Sequence, residues 1–345
     1  MQSAMAAPGS PLRFLALGWF SVVMGLSGLA FAWHRAAAQL GEPALAVSVA
    51  LAILAGAVYA TLLALTALRA RRHPQALLED FAHPVRHVFV ATVPISALLL
   101  VGLWVALVGP GPVVSVLWGL ASLAQLAVTL WVLTRWWRGN QPGGLAWPSL
   151  TPALIVPIVG NVLVPLSGVP LGHAAASAAQ AGIGLLFWPI VLVLLLVRIA
   201  QAGIWPEKLM PTVFITVAPP AVLGLDALQF GAPPLLAWAA WGMALFFLLW
   251  AATQARRIVA LEFGITHWAV SFPLAAFTAL SLRLAEPANG GGPGMALLAL
   301  FALAATSVVI AGLVLGTVRG LRQRRLLIPE QPVVAQAVAS GGQSR

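Results

Sequence analysis

Prolines lie near the middle of alternate hydrophobic stretches of this chain, at nearly constant intervals. Four of them fall in apolar stretches long enough to cross a bilayer, and successive prolines are 63, 62 and 54 residues apart. They are Pro94, Pro157, Pro219 and Pro273. A membrane helix keeps an internal proline only where neighbours or water satisfy the carbonyl that loses its hydrogen bond. The pattern therefore predicts repeated helix pairs whose proline-containing members surround a common cavity.

The composition is that of a membrane protein with many spans. Hydrophobic residues make up 61% of the chain and charged residues 8%, whereas soluble domains are about 25% charged. Ten stretches approach the roughly 20 residues needed to cross the hydrocarbon. They are 14–33, 44–68, 87–108, 113–134, 150–170, 177–199, 211–230, 234–255, 267–285 and 295–318.

The odd and even spans differ in composition. Four of the five odd spans carry the prolines, and the first carries small residues such as Gly25, which allow helices to approach closely. The even spans contain one mid-span proline, Pro189, and hold long apolar runs such as Leu51-Ala52-Ile53-Leu54. We therefore predict an all-α membrane fold of five helical hairpins, with five kinked inner helices around a central pore and five outer helices. This domain is expected at 13–320, between an N-terminal cytoplasmic tail at 1–12 and a disordered C-terminal cytoplasmic tail at 321–345.

The basic residues sort by loop. If the N-terminus is cytoplasmic, sixteen of the eighteen lysines and arginines fall on the cytoplasmic side, and only Arg35 and Arg283 fall outside. The positive-inside rule then places both termini in the cytoplasm. A nucleic-acid surface would need basic residues clustered on one solvated face, so we expect no nucleic-acid partner. The apolar core after Arg13 is too long for a secretory signal, and we interpret it as the first helix.

Catalytic and metal-binding patterns are weak. The chain has no cysteine, which removes disulfides and thiolate chemistry. No nucleotide-binding glycine motif, metalloprotease pair or Ser/His/Asp set has useful spacing, so we expect neither an enzyme nor a cofactor. One group before the third span could suggest a metal site, but Pro84 interrupts it, and a solvated loop is the better interpretation. This group is Glu79, Asp80, His83 and His87.

Few polar residues fall within the spans. Asp226 and Arg283 lie near the outer ends of the seventh and ninth spans, where an interfacial role is favoured over a proton relay. Arg198 ends the sixth span and can extend towards water. The deepest polar residue, Asn161, either lines a conduit or bonds a neighbouring helix, and both interpretations stay open. Anion preference does not follow from composition, because cytoplasmic arginines and freed carbonyls have opposite signs.

Five segments together carry a family resemblance. They are Gly18-Trp19-Phe20 through Gly25 to Ala32-Trp33, His83-Pro84-Val85-Arg86 to Val93-Pro94-Ile95, Val159-Gly160-Asn161, Pro211-Thr212 to Ala218-Pro219-Pro220, and Trp268-Ala269-Val270-Ser271-Phe272. In order and spacing they resemble the bacterial tellurite-resistance/dicarboxylate transporter (TehA) proteins and their plant relatives, the slow-type anion channels of guard cells. Two features depart from what we would assume for that family. Val22 and Val23 stand where a member can carry a kink proline, and Pro273 follows the position of Phe272 directly.

The resemblance implies a homotrimer in the bacterial inner membrane, in which every protomer has its own pore. It implies that the ring of Phe272 plugs this pore near mid-membrane, where a rotamer change could reopen it. Residues assigned to the pore lining are Gly25, Pro94, Pro157, Asn161, Pro219, Pro220 and Ser271. The expected function is an anion channel or uniporter for small inorganic or organic anions. The alternatives are a proton-coupled dicarboxylate or tellurite carrier and a membrane scaffold without transport.

Overall fold

The computed structural model describes residues 10–139, 141 and 143–329, and this part of the chain contains helices and no strand. Nine helices in these residues are long and apolar enough to cross a membrane, and one further apolar helix is shorter. In chain order they are α1 (Leu17–Leu40), α2 (Glu42–Arg72), α3 (Arg86–Leu107), α4 (Pro112–Arg138), α5 (Pro152–Gly168), α6 (Ala174–Ala202), α7 (Glu207–Gln229), α8 (Pro234–Ala252), α9 (Ile265–Leu284) and α10 (Pro293–Arg322). The all-α membrane fold is thus confirmed, while a count of ten spans stays a prediction because α5 is short.

Most of both expected tails lies outside the described residues, at 1–9 and 330–345. The described residues before α1 include a short 3-10 helix at Pro11–Phe14. At the other end, α10 continues to Arg322. The domain boundaries therefore stay a prediction.

Two layers of helices differ in burial. In the most apolar window of α7, 83% of residues are buried, against 17% in α2. The other odd helices resemble α7, and α5 is buried along almost its whole length. Every even helix keeps a large exposed apolar face, as at Leu54 of α2. An apolar face of this size without a protein partner suits contact with lipid, so the odd helices form an inner layer and the even ones an outer layer.

The inner helices pack against each other in a closed ring. Each inner helix contacts the next one in the order α1, α3, α5, α7 and α9, and α9 contacts α1. Each inner helix also packs on the even helix that follows it. α1 and α9 pack closely against each other. A Cβ atom on Gly25 would overlap the Ser271 side chain, and one on Gly28 would lie 2.9 Å from Cβ of Ala275. Glycine is therefore required on this face of α1.

Every inner helix starts as a 3-10 helix and becomes α-helical partway along. The 3-10 stretches are Leu17–Phe20, Arg86–Ala91, Pro152–Ile155, Glu207–Val217 and Ile265–Val270. The four spaced prolines occupy the second or third residue of the α-helical part that follows. The preceding 3-10 turn supplies carbonyls that the N–H of another residue at this position could reach, so each proline removes a hydrogen bond inside its span. The prolines thus lie within the inner helices, as the sequence predicts, at the point where the α-helical part begins.

Carbonyl groups at these transitions have hydrogen-bond donors. The Ala218 N–H donates to the Ile215 carbonyl, and the Ser271 hydroxyl donates to the Trp268 carbonyl at 2.6 Å. Between α1 and α3, the Thr92 hydroxyl donates to the Leu17 carbonyl at 2.8 Å. Satisfied carbonyls contribute less negative potential to a cavity than free ones. In the folded protein these carbonyls therefore oppose the positive potential of the cytoplasmic arginines less than free carbonyls would.

The segment between α2 and α3 is ordered and partly buried, in contrast to the solvated loop expected from the sequence. A short helix, Pro74–Ala82, places the Asp80 carboxylate 2.7 Å from Arg69 and 3.2 Å from Arg86. Arg69 is 2% exposed and also donates hydrogen bonds to the carbonyls of Arg13 and Ala76. His87 is buried as well. This ion pair joins the end of α2 to the start of α3.

Candidate pore

An apolar cavity of about 40 Å³ lies inside the ring of inner helices. It is lined by Gly28, Phe31 and Arg35 of α1, Leu99 of α3, Leu166 of α5, Val222 and Leu225 of α7, and Phe272, Ala275, Ala276 and Ala279 of α9. All five inner helices contribute, and no residue of an outer helix does. Since one water needs roughly 10–15 Å³ of such space, the cavity has room for only a few waters. It is a narrow, mostly apolar space on the axis of the ring.

Phe272 forms part of the wall of this cavity. It is the second residue of the α-helical part of α9, directly before Pro273, and is 6% exposed. Its Cδ2 atom would lie 3.2 Å from a Cβ placed on Gly28 of α1. The ring therefore fills the gap between α1 and α9 that Gly28 leaves open. An aromatic side chain in this position can block a narrow apolar path by its bulk and by excluding water.

The other residues assigned to the pore lie at or near the helix transitions and do not line this cavity. All are buried, and Gly25 contacts Ser271 where α1 meets α9. A role in lining the open path stays a prediction for Gly25, Pro94, Pro157, Asn161, Pro219, Pro220 and Ser271. Ala275, Ala276 and Ala279 were not predicted from the sequence, although small residues on one helix face can mark a close approach of helices.

The amide of Asn161 holds α5 to the two outer helices beside it. Its nitrogen donates to the Thr129 hydroxyl of α4 at 2.8 Å, and its oxygen accepts from the Gln180 amide of α6 at 3.1 Å. Gln125 and Thr129 of α4 both donate to the Pro157 carbonyl, at 2.8 and 2.7 Å. These bonds match the helix-bonding interpretation of Asn161. They also fix the position of α5, which is the shortest of the inner helices.

Two polar residues expected to reach water at the membrane interface are buried. Asp226 of α7 is 3% exposed, and neither carboxylate oxygen has a hydrogen-bond partner in the described residues. Arg198 is also buried, and it donates to the carbonyls of Trp147 and Gly203 rather than extending towards water. The expectation that these two side chains reach water is wrong, because neighbouring segments cover them. Their position at the membrane interface stays a prediction. Arg283 does stay partly exposed, in an ion pair with Glu286.

Comparisons with known proteins identify relatives over almost the whole described chain. The model of the SLAC1 family, described as voltage-dependent anion channel, matches residues 15–318. The chain is 26% identical over 273 residues to S-type anion channel SLAH2 of Arabidopsis thaliana, covering 79% of this chain and 51% of the plant protein. It is 27% identical over 323 residues to Tellurite resistance protein TehA homolog of Haemophilus influenzae, covering 91% and 93% of the two chains.

The chain thus spans about half the length of the plant relative and nearly the full length of the bacterial one. The family match includes the whole ring of inner helices and the cavity inside it. The resemblance drawn from the five sequence segments is confirmed. This protein belongs to the SLAC1 family, the family of voltage-dependent anion channels.

Proposed function

We propose that this protein is an anion channel or uniporter, in which small anions pass through a pore inside each protomer and Phe272 forms the gate. The observation that carries the proposal is the cavity shared by all five inner helices and by no outer helix, with Phe272 in its wall. Membership of an anion-channel family supports anion transport in general. Transport without catalysis is also consistent with the apolar character of the lining.

The lining explains how such a path could conduct. Ten of the eleven lining side chains are uncharged and none of those ten is polar, so a passing anion meets few groups able to hold it. Conduction requires binding weak enough for the ion to leave. Displacement of one ring would widen the cavity next to Gly28 and three alanines of α9 without moving any helix. A side-chain rotation is a smaller change than the alternating access of a carrier.

A proton-coupled carrier is the second candidate, and Asp226 is the observation in its favour. This carboxyl group is buried without a partner in the described residues, and it follows Leu225, which lines the cavity. Buried ionisable groups within membrane helices often belong to proton relays. A carrier of this kind would move a proton with each dicarboxylate or tellurite ion, and replacing Asp226 with asparagine would abolish the coupling.

Reconstituted liposomes distinguish the two candidates. The vesicles contain no proton ionophore, and potassium with valinomycin balances the charge. We expect the purified protein to carry chloride, nitrate and small carboxylates down their gradients without changing the internal pH. An encapsulated pH dye reports proton movement in the same vesicles. Acidification that accompanies anion entry and disappears in Asp226→Asn would instead establish the carrier. If the vesicles show no anion flux, even with Phe272 replaced, both transport functions are contradicted. The remaining candidate is then a membrane scaffold without transport.

We also propose a homotrimer in the bacterial inner membrane with both termini in the cytoplasm. The distribution of basic residues supports cytoplasmic termini. The bacterial relative supports a location in a bacterial membrane. The outer helices expose enough apolar surface to contact both lipid and neighbouring protomers. Reporter fusions at both ends and the mass of the detergent-purified complex test these points; periplasmic reporter activity or a monomeric mass would contradict them.

A further inference from the structure

Arg35 is the only charged side chain among the residues that line the cavity. It lies on α1 with Gly28 and Phe31, at spacings of three and seven residues from Gly28, which place the three positions on one helix face. The rise of 1.5 Å per residue puts Arg35 roughly 10 Å beyond Gly28 along the helix axis. With a cytoplasmic N-terminus, this is the outward direction. Arg35 therefore lies at the outer part of a space whose other end reaches Phe272.

The charges around Arg35 leave its guanidinium without an acidic partner. Within the described residues no carboxylate lies within ion-pair distance of Arg35. Arg283 and Glu286 are near enough to interact with its charge. Glu286, however, is paired with Arg283 and also lies 3.5 Å from the Asn289 amide. The three ionised groups together carry one net positive charge, and that charge is on the residue that faces the cavity.

A half-buried guanidinium next to an apolar space attracts anions more strongly than one in bulk water. Its planar set of donors fits two oxygens of a carboxylate or nitrate at once, whereas a lysine ammonium offers only a point charge. Partial exposure lets water compete for the guanidinium, which keeps the binding weak, as conduction requires. Arg35 thus combines the charge, geometry and location of a site that collects anions before they enter the narrow path.

We infer that Arg35 forms a weak anion-binding site at the outer mouth of the pore, which concentrates small anions, planar oxyanions above halides, and excludes cations. This inference rests on the proposed function, because it assigns the site to the same pore. It goes further by naming the residue that selects anions in a lining that is otherwise uncharged.

The first test measures binding and needs no transport. Weak chloride binding broadens the chloride-35 nuclear magnetic resonance line, so we compare this broadening for the detergent-purified wild type and Arg35→Gln. The matched control is the double variant Arg283→Gln, Glu286→Gln, which removes two nearby charges without changing the net charge and leaves the cavity lining intact. In the wild type, added nitrate should remove a part of the broadening by competing with chloride. We expect Arg35→Gln to lack this part and the control variant to keep it. Equal broadening in wild type and Arg35→Gln overturns the inference.

The second test measures selectivity with the gate removed. In planar bilayers under a potassium chloride gradient, the reversal potential of Phe272→Ala gives the chloride-to-potassium permeability ratio. Adding Arg35→Gln should lower this ratio by about tenfold, while Arg35→Lys should retain it and lose the preference for nitrate over chloride. An unchanged ratio in Arg35→Gln would overturn the inference even with currents intact. If Phe272→Ala passes no anion but Arg35-dependent broadening is present, the binding site stands and the proposed channel function fails.

Discussion

Phe272→Ala is expected to raise anion flux per protein molecule by about an order of magnitude or more, because in the proposed pore the ring is the gate of a narrow apolar path. The ring lies in the wall of the cavity and against Gly28. Removing it joins its volume to the existing cavity, so little packing is lost. Flux is measured in liposomes as anion efflux normalised to the amount of folded, reconstituted protein.

Phe277→Ala is the matched control on the same helix. Phe277 is 4% exposed, close to the 6% of Phe272, and its ring stacks on Trp241 with centroids 5.8 Å apart, yet it does not line the cavity. Truncating it should cost about 3–5 kcal/mol of stability and leave flux per folded molecule unchanged. If Phe272→Ala instead behaves like Phe277→Ala, with lower thermal stability and unchanged flux, then Phe272 is a packing residue and the gating proposal fails.

Asp80→Leu is expected to destabilise the protein by about 3–5 kcal/mol, because it leaves the Arg69 charge buried without an acidic partner. Arg69 is 2% exposed, and Asp80 is the one carboxylate that pairs with it in the described residues. Its remaining partners are the carbonyls of Arg13 and Ala76. Thermal unfolding of the detergent-purified protein measures the loss. The double variant Arg69→Met, Asp80→Leu should recover most of it, since it removes both charges.

Glu79→Gln tests whether the effect depends on burial. Glu79 precedes Asp80 on the same short helix and lies 3.9 Å from Arg13, but its side chain is 58% exposed. Exposed ion pairs contribute about 0–1 kcal/mol, so this variant should unfold within a few degrees of the wild type. Similar losses for Glu79→Gln and Asp80→Leu would show that the short helix as a whole, and not the buried pair, sets stability here.

The layered arrangement could be anticipated from the chain because its signals are local. Span length, the proline spacing and the sorting of basic residues are each properties of single segments or loops, and they indicated the all-α membrane class and the alternation of inner and outer helices. The prolines also marked where each inner helix becomes α-helical. The family followed from five short segments whose order covers most of the chain.

Contacts between distant segments decide which residues line the cavity and which charged residues are buried. In the apolar stretch 97–107 of α3, nothing in the residue pattern shows which face turns inward, so Leu99 was not distinguishable from its neighbours. Asp80, Arg198 and Asp226 were placed in water because each lies near a span end, yet neighbouring segments cover all three. Residue type and spacing determined the class of protein and its layers, because hydrophobicity and proline geometry act locally. Helix rotation and packing decided which side chains reach the pore axis, because both depend on the whole ring of inner helices.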